Sequence, residues 1–306
     1  MPTHATTPTF HAPALHMTVP ELTVQDIEVF IEGTGPNAVV MIHGWPDTHR
    51  LWDATVEALK GQHRCVRFTL PGFDPQQPAR ATALTDMTAL FGAIVQAVSP
   101  GKPVTLLLHD WGCVFGYEFA ARHPEQVERI VAVDIGDHNS AAFASSLTGK
   151  AKWQIFSYQC WLAVAWWTGR HIHAGLGDRM TRAMAGSLRC PTAPESIGWP
   201  MNYPYAMQWF GLMGGFRGAA PVELACPLLY LYGERKPFMF HSPQWLQRIA
   251  ARPGSAVQGF RTGHWVMVEQ PGAFNQRVRS WLDGADGQTL AAGSAIPSRS
   301  LPRRPG

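Results

Sequence analysis

Leu22, Val24, Ile27, Val29 and Ile31 alternate with polar neighbours around Gln25-Asp26, which predicts an edge hairpin with one buried face. From residue 37 the pattern changes. Short apolar runs at 37–42, 64–70, 104–109 and 129–135 are separated by stretches with helical spacing at 51–59, 84–98 and 113–122. Strands and helices alternating at this pitch predict an α/β layer fold with a mostly parallel sheet flanked by helices. After Asp137 the alternation stops. Residues 138–220 contain no strand-like run and hold Trp153, Trp161, Trp166, Trp167, Trp199 and Trp209, six of the chain's 12 tryptophans. Strands then return at 226–232 and 256–260, with helices at 243–251 and 271–282. The expected organisation is therefore a core over 18–137 and 221–283, with 138–220 inserted as a helical cap over apolar ground. Residues 1–17, rich in Pro, Thr and His, read as a loose arm, and the Gly/Ala/Ser/Pro-rich stretch 284–306 as a disordered tail.

Composition narrows the class. A chain of 306 residues with 46% hydrophobic and 15% charged residues can bury one large core, with room for a satellite unit. The net charge of +3 gives no argument for a nucleic-acid partner. Five scattered cysteines (65, 113, 160, 190, 226) form no Cys-x-x-Cys pair, which points to reduced thiols in a cytoplasmic protein and to no zinc site. His4, His11 and His16 of the arm are weak candidates for a metal, and no metal or cofactor is expected. The start of the chain carries no basic-then-apolar signal pattern. The longest apolar stretch, 153–168, contains Gln154, Ser157 and Gln159 and is short of the ~20 residues that cross a bilayer. It reads as a buried helix, not as a membrane span.

Ligands of open α/β sheets bind at the carboxyl ends of the strands. Polar clusters fall there: His43-Gly44-Trp45-Pro46-Asp47, His109-Asp110-Trp111-Gly112, Gly136-Asp137-His138 and Thr262-Gly263-His264-Trp265. A carboxylate at the tip of an apolar strand, followed at once by a helix, is the feature that calls for an explanation. Order along the chain is carboxylate, then acid, then histidine, as in elbow hydrolases.

With these motifs the sequence resembles the α/β-hydrolase superfamily, and within it the capped branch of epoxide hydrolases and haloalkane dehalogenases. The resemblance covers about residues 20–283 and rests on the His-Gly-x-Pro turn at 43–46, Asp-Trp-Gly at 110–112 and Gly-His-Trp at 263–265. It implies the α/β-hydrolase fold and an aspartate nucleophile, Asp110. A carboxylate displaces an oxygen or halide at an sp³ carbon without prior deprotonation. The resulting ester then needs water activated by a base, for which His264 is the candidate. Backbone N–H groups of Trp45 and Trp111 are the expected oxyanion donors. The competing reading of Asp110 is a plain helix N-cap. His43, His109 and Cys113 read as turn-supporting or core residues.

The triad acid is harder to place. Family members often carry it in a Gly-x-x-Asp-Pro turn, which here reads Gly233-Glu234-Arg235-Lys236-Pro237, with lysine where the acid would stand. In other members the acid follows the strand after the elbow helix. Asp134 reads as still within that strand, so Asp137 is the expected acid and Glu234 the second choice. Leu108 also departs from pattern, because a small residue usually sits two before the nucleophile. Opening an epoxide leaves an alkoxide that needs an acid, and the resembling epoxide hydrolases use cap tyrosines: here Tyr203, Tyr205 and Tyr158. The expectation is a hydrolase acting on a small apolar epoxide with water, as a monomer or homodimer. Haloalkane dehalogenation is the alternative with the same machinery, and a non-catalytic binder of apolar ligands the alternative of another class.

Overall fold

The computed structural model describes residues 21–284; the expected arm with its three histidines and the expected tail beyond 284 lie outside them. The chain runs β1 (Leu22–Val24), β2 (Ile27–Glu32), β3 (Ala38–Ile42), α1 (Asp53–Leu59), β4 (Arg64–Phe68), α2 (Leu84–Val98), β5 (Val104–His109), α3 (Trp111–Arg122) and β6 (Val127–Val133). Four helices follow without a strand: α4 (Ala141–Ser146), α5 (Gly149–His171), α6 (Ala174–Ser187) and α7 (Tyr203–Phe210). The alternation returns with β7 (Leu228–Gly233), α8 (Pro243–Ala250), β8 (Ala256–Phe260), α9 (Val266–Glu269) and α10 (Pro271–Leu282). The eight strands form one sheet in the order β1-β2-β4-β3-β5-β6-β7-β8. β1 and β2 pair antiparallel with their neighbours, and the remaining pairs are parallel.

The period of two along the central strands divides the core. Val40, Ile42, Leu106 and Leu108 face α2 and α3, whereas Val39, Met41 and Leu107 join the layer that includes α1 and α10 residues such as Val56, Leu59 and Phe274. Burial on both faces is why these strands read as continuous apolar runs. α5 is not the buried helix expected: it runs for 23 residues, extended by Lys150, Lys152 and Arg170, and leaves Trp153, Phe156, Trp161 and Trp167 exposed. Among the described residues no helix is long and apolar enough to cross a membrane.

Leu108 finds its space in the elbow helix. A Cβ on Gly116 of α3 would stand 2.6 Å from Leu108 Cδ2, so the bulk two residues before Asp110 is absorbed by the missing side chain opposite. The small residue has moved from strand to helix.

Candidate active site

The site sits where β5 and β6 end side by side. His109 pairs in register with Val133, so Asp110 and Asp134 leave the sheet as neighbours. Both have positive φ, 52° and 75°. Such backbone costs a non-glycine residue roughly 1–3 kcal/mol and clusters at functional sites. Asp110, at φ 52°, ψ −122°, makes no side-chain cap bond to α3, which removes the N-cap reading. Its carboxylate looks the other way. Trp45 N–H donates to Oδ1 at 2.7 Å, and the adjacent Trp111 amide helps to lower the carboxyl's pKa. Gly44 permits this approach: a Cβ there would lie 2.5 Å from both Asp110 Oδ1 and Trp111 N.

His264 Nε2 stands 3.4 Å from Asp110 Oδ2. On its other side, Nδ1 is hydrogen-bonded to Asp134 Oδ2. The carboxylate that meets the histidine is therefore Asp134, not the expected Asp137. Asp134 lies one residue past the end of β6, and its positive φ turns the side chain toward β7 and the histidine. Asp137 is occupied elsewhere: it accepts from Ser242 N and Oγ, both at 2.7 Å, and from Ser140 Oγ at 2.6 Å, tying the start of α4 to the start of α8. Glu234 is exposed and lies against Gly259 of β8, with no bond to His264. The remaining oxygen of Asp134, Oδ1, accepts from Gly233 N at 3.0 Å and is ion-paired with Lys236.

Charge follows geometry. Burial alone would lower the His264 pKa, but the Asp134 charge and the hydrogen bonds and charge of Asp110 outweigh it and raise it to about 9. Burial pushes the Asp110 and Asp134 carboxyls up; for Asp110 the His264 bond and charge prevail, for Asp134 the Lys236 and His264 charges, and both end below the ordinary carboxylate value. His43 and His109, fully buried, are pushed down to about 3. His43 accepts from Leu70 N through Nε2 at 2.9 Å while its Nδ1 meets Gly44 O at 2.9 Å, so it braces the turn. Asp47, which the sequence offers only as the end of the His-Gly-x-Pro turn, is buried beneath the site. It accepts from Trp265 Nε1 at 3.0 Å and from Thr192, and burial pushes it up to about 6.

A cavity of about 530 Å³ opens over Asp110, within the 300–1,000 Å³ usual for small-molecule sites. Trp111, Tyr158, Tyr205, Phe216 and Phe240 are among its walls. Tyr158 comes from α5 and Tyr205 from α7, with their rings 6.2 Å apart. Burial, and then the Asp110 charge, keep both phenols well above their ordinary pKa. Tyr203 is not with them. It packs on Phe73 with ring centroids 5.9 Å apart, away from the cavity, and its hydroxyl is buried without a partner. Gln159 is an unforeseen member: it donates to Tyr158 Oη at 3.1 Å and accepts from Trp209 Nε1 at 3.1 Å. Among the described residues no group of three or more His, Cys, Asp or Glu is placed to hold a metal ion.

Residues 39–277 match the family model described as "Alpha/beta hydrolase family". The chain belongs to that family. Among curated relatives, "Probable oxidoreductase EphD" of Mycobacterium tuberculosis is 37% identical over 111 residues, which is 35% of this chain and 18% of that protein. "Epoxide hydrolase 1" of Caenorhabditis elegans is 22% identical over 270 residues, 80% of this chain and 64% of the relative. The chain thus spans less than two thirds of the length of either relative. Solved structures of the same fold include an epoxide hydrolase from Bacillus megaterium, with TM-score 0.64 and 19% identity over 86% of this chain and 99% of that one. Haloalkane dehalogenases stand among the neighbours too.

Proposed function

We propose that the protein hydrolyses an apolar epoxide to a diol through an ester on Asp110. The observation that carries this reading is the pair of phenols, Tyr158 and Tyr205, brought from two separate helices to the cavity that Asp110 lines. Asp110 Oδ2 attacks a ring carbon, the carbon–oxygen bond breaks, and a phenol gives its proton to the departing oxygen. The phenolate regains that proton through water from the His264 imidazolium, which leaves the imidazole neutral and able to act as a base. His264 then takes a proton from water, and hydroxide adds to the Asp110 carboxyl carbon. The oxyanion forms on the oxygen that accepts from Trp45 N–H, next to the Trp111 amide, and one such donor is worth ~3 kcal/mol of barrier. Collapse releases the diol, its oxygen taking the proton of the new carboxyl, and restores the Asp110 carboxylate beside the His264 imidazolium. In this reading Asp134 is the triad acid, the helices of 138–220 are the cap, and the relatives named epoxide hydrolase lend it support.

Halide expulsion draws less support from the same cavity. A halide needs two N–H donors; the Trp111 indole lines the cavity, but the indoles of Trp45 and Trp209 that would join it are committed to Asn202 Oδ1 at 2.8 Å and to Gln159 Oε1 at 3.1 Å. A non-catalytic binder draws none, since the two departures from the family pattern, Leu108 and Lys236, are matched by Gly116 and Asp134.

The test is intact-mass analysis of His264→Gln after exposure to styrene oxide and to a panel of haloalkanes. The ester accumulates without its base. A mass gain equal to the whole epoxide supports the reading; a gain equal to an alkyl group, from haloalkanes alone, would replace it with dehalogenation. Removing both phenols (Tyr158→Phe with Tyr205→Phe) is expected to slow ester formation from the epoxide by about 10²–10⁴-fold. Single-turnover kinetics read this directly.

A further inference from the structure

Asp134 divides its two oxygens between two cations. Oδ2 takes His264 Nδ1 and Oδ1 takes the Lys236 ammonium, with Gly233 N–H as a third donor at 3.0 Å. The carboxylate is fully buried, and the Lys236 side chain is only 9% exposed. A lysine so enclosed gives up hydration that only a matching charge restores. Lys236 also occupies the turn position where related enzymes carry their acid. The site therefore holds an acid at one of the two known places and a cation at the other, joined.

We infer that Lys236 is a positioning residue for His264, acting through Asp134 to free the imidazole as a base once Asp110 has become an ester. This rests on the ester reading above. Before reaction, two carboxylates (Asp110 and Asp134) face two cations (the imidazolium and Lys236), and the cluster is neutral. Esterification removes the Asp110 charge. With Lys236 present, Asp134 is already balanced, and little field remains to keep a proton on His264. Without Lys236, the Asp134 charge alone would hold the imidazolium, which cannot take a proton from water.

The other groups around the cluster leave this balance in place. The His109 ring lies 4.5 Å from His264 and is kept neutral by burial, at about 3. Asp47 stands behind it, 3.9 Å from His109 Nδ1, and does not touch Asp134. Beyond Lys236, His241 is held down to about 4 by burial and by the Lys236 charge; its Nδ1 bonds Tyr230 Oη at 2.8 Å, and Tyr232 packs on its ring at 4.7 Å.

The test is an NMR titration of the His264 imidazole in the full chain carrying Asp110→Asn, whose neutral amide stands in for the ester. Adding Lys236→Gln, which keeps a donor for Asp134 but removes the charge, is expected to raise the His264 pKa by about one unit, a loss of neutral imidazole that reaches about tenfold at pH below that pKa. Lys236→Arg restores the starting value. If Lys236→Gln does not fold, Lys236→Met is measured in its place. No shift would overturn the proposal. A fall would overturn it too, because a lysine that merely keeps Asp134 within reach of the histidine gives that sign. Because no substrate is used, failure of the epoxide reading leaves this measurement standing. In turnover, Lys236→Gln in a chain that keeps Asp110 moves the midpoint of ester breakdown to higher pH.

Discussion

Asp110→Ala is expected to lower kcat/KM for epoxide hydrolysis by ~10⁴-fold or more, the scale on which a nucleophile acting as one unit with its base is lost. No second carboxylate can replace it. Asp134 is enclosed by His264 and Lys236, and Asp47 is held by Trp265 and Thr192 below the site. The cavity, the phenols and His264 all remain, so substrate still binds, and the defect falls on kcat. A progress curve for diol formation measures it, and turnover within tenfold of the parent would end the nucleophile assignment. The same variant also changes how stability depends on pH. The pKa of His264, raised in the folded state to about 9 from the ordinary 6.5, contributes stability that is complete below about 6.5 and is lost as pH rises through 9. Removing one of the two carboxylates that raise it makes the fall in Tm over that window smaller.

The second large effect separates two aspartates three residues apart. Asp134→Asn is expected to slow ester hydrolysis by about 10³–10⁴-fold, because the amide no longer stabilises the imidazolium or fixes the tautomer of His264. It also leaves the buried Lys236 charge unmatched. Asp137→Ala keeps activity within a few-fold and instead lowers stability by about 1–3 kcal/mol. It strands the buried Ser242 amide and hydroxyl that Asp137 now satisfies. Pre-steady-state kinetics and denaturant melts on the two variants give opposite patterns if Asp134 is the acid. The reverse pattern would reinstate Asp137.

Much of the site was legible because its chemistry is local. Asp110, Trp111 and the α3 helix follow one another in sequence, and an apolar strand running into a carboxylate and then a helix can be read without any fold. The proposed donors, Trp45 and Trp111, follow from the two strand-end turns. Tyr158 and Tyr205 were within reach of the sequence as aromatic residues of the inserted helices. The reading of Tyr203 beside Tyr205 fails for a simple reason: on a helix, residues two apart point to different sides. Tyr203 goes into the packing around Phe73, while Tyr205 faces Trp45 and Trp111.

The sequence by itself determined the alternation of strand and helix, the helical insertion after β6, the elbow carboxylate and the distant histidine, since each depends on period or on the residue type at a strand end. Only the tertiary structure decided which aspartate meets that histidine. The choice turns on one residue of strand length and on the positive φ of Asp134, which single-residue patterns do not carry. It also decided what Leu108 and Lys236 are for. Their partners, Gly116 on the helix above and Asp134 just past the neighbouring strand, are set by packing between positions 8 and 102 residues apart, and such pairings leave no local pattern in a sequence.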